Sequence, residues 1–122
     1  MALEKKYDYL ERLIAFAGEI ILFSKSFSKD FAGNVLARQI IRSSSSVALN
    51  FGETQGTVTT KDYISKASIC LKEQKETEVN LRILAYVKMG GEKGTELLDE
   101  CIELAKICRA IIKNKQKELS NS

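Results

Sequence analysis

The chain has 122 residues with 44% hydrophobic and 29% charged side chains and a net charge of +3, the composition of one globular domain, residues 1–122, with a buried core. Proline is absent, so nothing in the sequence breaks long helices. Histidine is absent too, which excludes Ser-His-Asp and Cys-His pairs, imidazole zinc sites and the Glu-x-x-His di-iron motif of helix bundles.

The first predicted helix runs from about Glu4 to Ser26. Tyr7, Leu10, Ile14, Ala17 and Ile21 recur at steps of three and four, and Leu13, Ile20 and Phe23 widen that face. After a polar break at Ser24–Asp30, a second helix spans about Phe31 to Gln55. Leu36, Ile40, Val47 and Phe51 share its apolar side, with Ser43 and Ser44 between them. Thr57–Thr60 reads as a connection in which Thr60 is the expected N-cap and Asp62 suits the first turn of a third helix. That helix is expected to end near Lys88 or Met89, stopped by Gly90-Gly91. The fourth runs from Glu92–Thr95 to about Glu118. Leu98, Cys101, Ala105, Cys108 and Ile112 form its seam, with acids early and cations late, as the helix dipole favours. Short connections between long amphipathic helices predict an all-α fold, an up-down-up-down antiparallel four-helix bundle.

Cys70, Cys101 and Cys108 are odd in number and lack C-x-x-C spacing. They read as small buried hydrophobes of a reducing compartment, with a reactive thiol as the alternative. The N-terminal stretch resembles no signal peptide, and no apolar run is long enough for a membrane span. A cytoplasmic location without a membrane partner is therefore expected.

The most unusual stretch is Ser43–Ser46, four consecutive serines inside a predicted helix. Serine prefers caps and turns, so a flexible linker and a seam of close helix packing both come into view. Val47, Leu49 and Phe51 follow without a break and favour the seam. At 100° per residue, Arg42, Ser46, Leu49, Asn50 and Glu53 share one sector, with Arg38 at its edge, opposite the apolar side. That sector is either a solvated outer face or a subunit interface or ligand groove.

The third helix's inward stripe is expected to hold Ile64, Ala67, Leu71, Leu81 and Ala85, interrupted by Gln74 and Glu78. An acid near a packed face needs a partner: Arg82 at i+4 or Arg42 across the bundle for Glu78. Lys72 and Glu76 form a further i,i+4 pair. Glu73, Glu76 and Glu78 are weighed as metal ligands and set aside, because no histidine joins them and lysines flank them. Neither a cofactor nor an enzymatic activity is expected, since the serines have no base to activate them. Lys106, Arg109, Lys113 and Lys117 share one side of the last helix, where dipole complementation explains them in a monomer. In a ring of identical subunits the same stripe becomes a positive band.

The run from Arg42 to Asn50 with Glu53 and Gln55-Gly56 resembles the bacterial four helix bundle protein family. So do Lys61-Asp62-Tyr63-Ile64, Leu71-Lys72-Glu73, Lys75-Glu76-Thr77 and Leu81–Leu84. That family includes proteins encoded by intervening sequences of 23S ribosomal RNA genes and is related to the accessory variability protein of diversity-generating retroelements. The resemblance implies a homopentameric ring that binds RNA or DNA, and Arg38, Arg42, Lys106, Arg109 and Lys113 are then the expected phosphate contacts. Ser46, Asn50, Glu53, Glu73, Glu76, Glu78 and Arg82 join Arg42 as expected structural or interface polar residues. A protein-interaction scaffold with a polypeptide partner is the alternative. Where the family pattern places an aromatic three residues after Thr77, this chain has Asn80.

Overall fold

The computed structural model describes residues 9–121; Tyr7 and the predicted start of the first helix lie outside them. Four helices follow one another: α1 Tyr9–Ser24, α2 Phe31–Thr54, α3 Thr60–Tyr86 and α4 Gly91–Ser120. Among the described residues there is no strand, and no helix is long and apolar enough to cross a membrane.

The helices stand at the corners of a square. α1 packs on α2, α2 on α3, α3 on α4 and α4 back on α1, while the diagonal pairs bring no Cα atoms within 8 Å of each other. Ion pairs show that α1 and α4 run antiparallel: as α1 advances from Arg12 to Glu19, its partner on α4 recedes from Glu100 to Lys93. The same reversal joins α2 to α3, where Arg42 meets Glu73 and Glu53 meets Lys66. The up-down-up-down bundle is the fold.

Local chemistry sets the helix ends. Asp30 caps α2 by accepting from Gly33 N at 2.9 Å, and the Ser28 hydroxyl donates to the same carboxylate at 2.9 Å. The Gly33 N–H, then the Ser28 hydroxyl, hold the Asp30 carboxyl below its usual range. α3 is capped by Thr59 rather than Thr60, its Oγ1 accepting from Asp62 N at 3.1 Å. The α3 C-terminus closes in a Schellman arrangement, Lys88 N to Ala85 O and Met89 N to Leu84 O at 3.1 and 2.8 Å. The left-handed position falls on Lys88, with φ 58°, so Gly90-Gly91 does not end α3 but opens α4. A Cβ on Gly90 would lie 2.9 Å from the Phe23 ring, which explains the glycine there.

The core departs from the predicted stripes in two helices. In α1 the buried face is Leu13, Phe16, Ile20 and Phe23, while Ile14 and Ile21 are 49% and 42% exposed. Apolar residues surround most of α1, so their spacing could not locate the centre of its buried face. In α3 the buried face is Ala67, Cys70, Gln74, Thr77, Leu81 and Leu84; Ile64 and Leu71 are only partly buried and Ala85 is exposed. Gln74 Nε2 donates to Cys101 O at 3.2 Å and Thr77 Oγ1 to Glu73 O at 2.9 Å, while Gln74 Oε1 is buried without a partner among the described residues. All three thiols are buried and donate across helices, Cys70 to Val47 O, Cys101 to Gln74 O and Cys108 to Ala67 O, each at 3.5 Å. Burial pushes Cys70 and Cys101 up to about 12 and raises Cys108 too, so all three remain protonated and inert at neutral pH.

Candidate nucleic-acid interface

The serine run is helical because it satisfies itself. Ser44 donates to Ile40 O at 2.8 Å, Ser43 Oγ lies 3.3 Å from the same carbonyl, and both serines are buried. Ser43 also shares a 2.8 Å hydrogen bond with Thr77 Oγ1, which holds α2 close to α3. In the outward sector, Asn50 Nδ2 donates back to Ser46 O and Oγ at 2.8 and 3.1 Å, so both side chains are engaged within α2.

Arg42 is committed to α3. Its Nη1 lies 3.1 Å from Glu73 Oε2 and its Nη2 2.6 Å from Glu76 Oε1. The Glu73 side chain is only 11% exposed, and these bonds, Glu73 first, raise the Arg42 guanidinium above its ordinary value. Glu53 pairs with Lys66 at 2.6 Å and raises that ammonium likewise. The α2–α3 seam is thus zipped by ion pairs, and Arg42 serves it rather than standing free for a phosphate. Arg42→Met strands the buried Glu73, and because the Arg42 side of the pair is solvated the expected loss is about 2 kcal/mol, below that for a fully buried pair. Arg42→Met combined with Glu73→Leu should recover most of it in urea unfolding; a double variant no more stable than the single one would refute this assignment.

The structure separates the five expected phosphate contacts. Arg38 and Arg42 are on α2, Lys106, Arg109 and Lys113 on the diagonal helix α4, with α3 between. One protomer therefore offers no basic face containing all five. Lys106, Arg109 and Lys113 are exposed, and among the described residues none has an ion-pair partner. Lys115, on the inner side of the same helix, lies over the Tyr63 ring at 4.5 Å.

The three acids of α3 do not converge either. Glu73 and Glu76 face Arg42, whereas Glu78 lies on the α4 side, 3.7 Å from Lys75 and 3.8 Å from Arg82, the i+4 partner its spacing predicts. Because Glu76 turns to Arg42, the expected Lys72–Glu76 pair does not form. Lys72 is left exposed beside Lys75 and Arg109 in a groove of about 360 Å³ between α3 and α4. Sequence reasoning missed this site because i,i+4 spacing assigned Lys72 to Glu76. A second groove, about 530 Å³, lies between α2 and α3, and Asn80 lines it where the family pattern places an aromatic.

With this geometry in view, residues 5–110 match the 23S rRNA-intervening sequence protein family. The chain belongs to that family. Among solved structures it is similar to a protein of unknown function from the S23 ribosomal protein family of Bacteroides thetaiotaomicron VPI-5482. The two are 29% identical with a TM-score of 0.79, over 86% of this chain and 98% of that one. No curated protein matches the chain.

Proposed function

We propose that this protein is a non-enzymatic, cytoplasmic homo-oligomer, a pentameric ring, that binds RNA or DNA through the basic face of α4. The observation that carries the reading is the exposed run Lys106, Arg109, Lys113, without ion-pair partners among the described residues. Free cations at helical spacing attract a phosphate backbone and release its counterions. Assembly is supported by two exposed apolar strips on adjacent sides of the square. Ile14 and Ile21 are exposed on α1, and Leu49, 69% exposed, is on the neighbouring α2. At the end where α2 begins and α3 finishes lie Phe31 and Tyr86, 84% and 88% exposed, with Ile83. Two different patches fit a head-to-tail contact that closes into a ring. Both strips involve α2, so Arg38 and Arg42 fall at the subunit contact and the diagonal α4 stays accessible.

Light scattering should return the mass of five chains; a monomer overturns the ring. A gel shift with structured RNA should show binding that weakens steadily as salt rises, and no binding at low salt ends the nucleic-acid reading. Recovery of a polypeptide partner after nuclease treatment, without RNA binding, turns the exposed Phe31 and Tyr86 into a scaffold's docking surface instead.

A further inference from the structure

We propose that the groove between α3 and α4 holds a single-stranded segment of nucleic acid, its phosphates on Lys72, Lys75 and Arg109. The inference rests on the nucleic-acid reading above and gives it a site and a strand form. The groove is about 360 Å³. Its floor is apolar, Leu71 from α3 and Ala105 from α4, and the Ser68 hydroxyl adds a neutral donor at one end. Cations rise from both walls, so a strand lying between the helices meets charge on two sides.

Packed helix axes stand about 8–10 Å apart, so the furrow between them admits one strand, whereas a duplex reaches only its rim. From Ser68 to Glu78 the α3 wall runs about 15 Å at 1.5 Å per residue, long enough for more than one phosphate. No aromatic ring lines the groove, so the bases gain no stacking platform. Binding is then electrostatic and nearly indifferent to sequence. Glu78 is the counterweight: its carboxylate, 17% exposed, holds Lys75 at 3.7 Å and sets a negative charge in the same groove. Removing that charge strengthens binding, a result that a purely structural role for Glu78 does not give.

The test uses the full chain with a labelled oligouridylate, the same length of duplex RNA and poly-glutamate, each titrated over a range of salt. The wild type should bind the single strand more tightly than the duplex. Lys72→Gln with Lys75→Gln should flatten the log–log salt slope by about 0.7 per lost phosphate contact. Glu78→Gln should tighten binding several-fold. Lys25→Gln, just past the C-terminal end of α1 and diagonal to α3, removes one positive charge outside the groove and should change neither quantity. Circular dichroism confirms that each variant folds. If the wild type binds no RNA, the functional reading itself fails. If it binds but the double variant behaves like Lys25→Gln, or Glu78→Gln does not tighten binding, the groove assignment fails and the functional reading stands. Preference for duplex overturns the strand form. Poly-glutamate binding that equals the RNA and falls in the same variants overturns nucleic acid as the occupant in favour of an acidic polypeptide.

Discussion

Gly33→Ala is expected to destabilise the protein by about 3 kcal/mol, the upper end of overpacking costs. An alanine Cβ at this position would lie 1.8 Å from the Ser28 carbonyl oxygen and 2.8 Å from Ser28 Oγ. The obstacle is backbone, so no rotamer change relieves it. Ser28 belongs to the α1–α2 connection, which folds back over the first turn of α2, and the same turn carries the cap in which Asp30 Oδ1 accepts from Gly33 N. Moving Ser28 away therefore also disturbs the cap. Gly18→Ala is the contrasting case. It sits mid-helix with nothing within 4 Å of the added carbon, and alanine there should stabilise by about 0.5–1 kcal/mol through propensity alone. Urea unfolding of the pair decides the matter: equal midpoints would show that the contact at Ser28 yields at no cost.

How much of this was legible in the sequence differs from helix to helix. α2 was readable because its apolar and polar residues segregate cleanly, so Ile40, Val47 and Phe51 fall inside with Ser43 and Ser44 and the Arg42–Glu53 sector falls outside. α4 was nearly as clear, although Leu97 and Leu104 bury more deeply than Leu98. α1 concealed its buried face because Leu10, Ile14, Ile21 and Leu22 surround the true seam with equally apolar alternatives. α3 concealed its own for the opposite reason. Gln74, Thr77 and Asn80 are polar yet buried, and the cross-helix bonds of Gln74 to Cys101 O and of Thr77 to Ser43 are invisible in one sequence.

The candidate site follows the same logic. Spacing along α4 groups Lys106, Arg109 and Lys113 on one side, since neighbours on one helix are fixed by its pitch. Joining them to Arg38 and Arg42 required knowing which helices are diagonal, and helical spacing carries no such information. The groove cations Lys72 and Lys75 were hidden by a competition between partners. Glu76 can reach Lys72 along α3 or Arg42 across to α2, and the guanidinium bridging Glu73 and Glu76 wins. That choice is what turns α3 from a self-neutralised surface into one wall of a basic groove.

Ser43→Leu is the substitution that tests why the serine run exists. Ser43 is fully buried, with its Oγ 2.8 Å from Thr77 Oγ1, so α2 and α3 are as close here as a hydroxyl pair permits. Leucine adds a branched side chain where no space remains, and the expected cost is about 3 kcal/mol. Ser43→Ala removes the hydroxyl but creates no clash. Thr77 Oγ1 keeps its bond to Glu73 O, so no buried donor is stranded and the loss should stay near 1 kcal/mol. Ser46→Leu should cost less than Ser43→Leu because Ser46 is only partly buried. Thermal unfolding of the three variants separates the explanations. A steep loss for Ser43→Leu alone identifies size as what the run supplies. Equal losses for Ser43→Ala and Ser43→Leu instead identify the hydroxyl. If size is decisive, the run sets the distance between α2 and α3 and hence whether Arg42 can reach both Glu73 and Glu76. The serines then act on the groove indirectly, by drawing Glu76 away from Lys72.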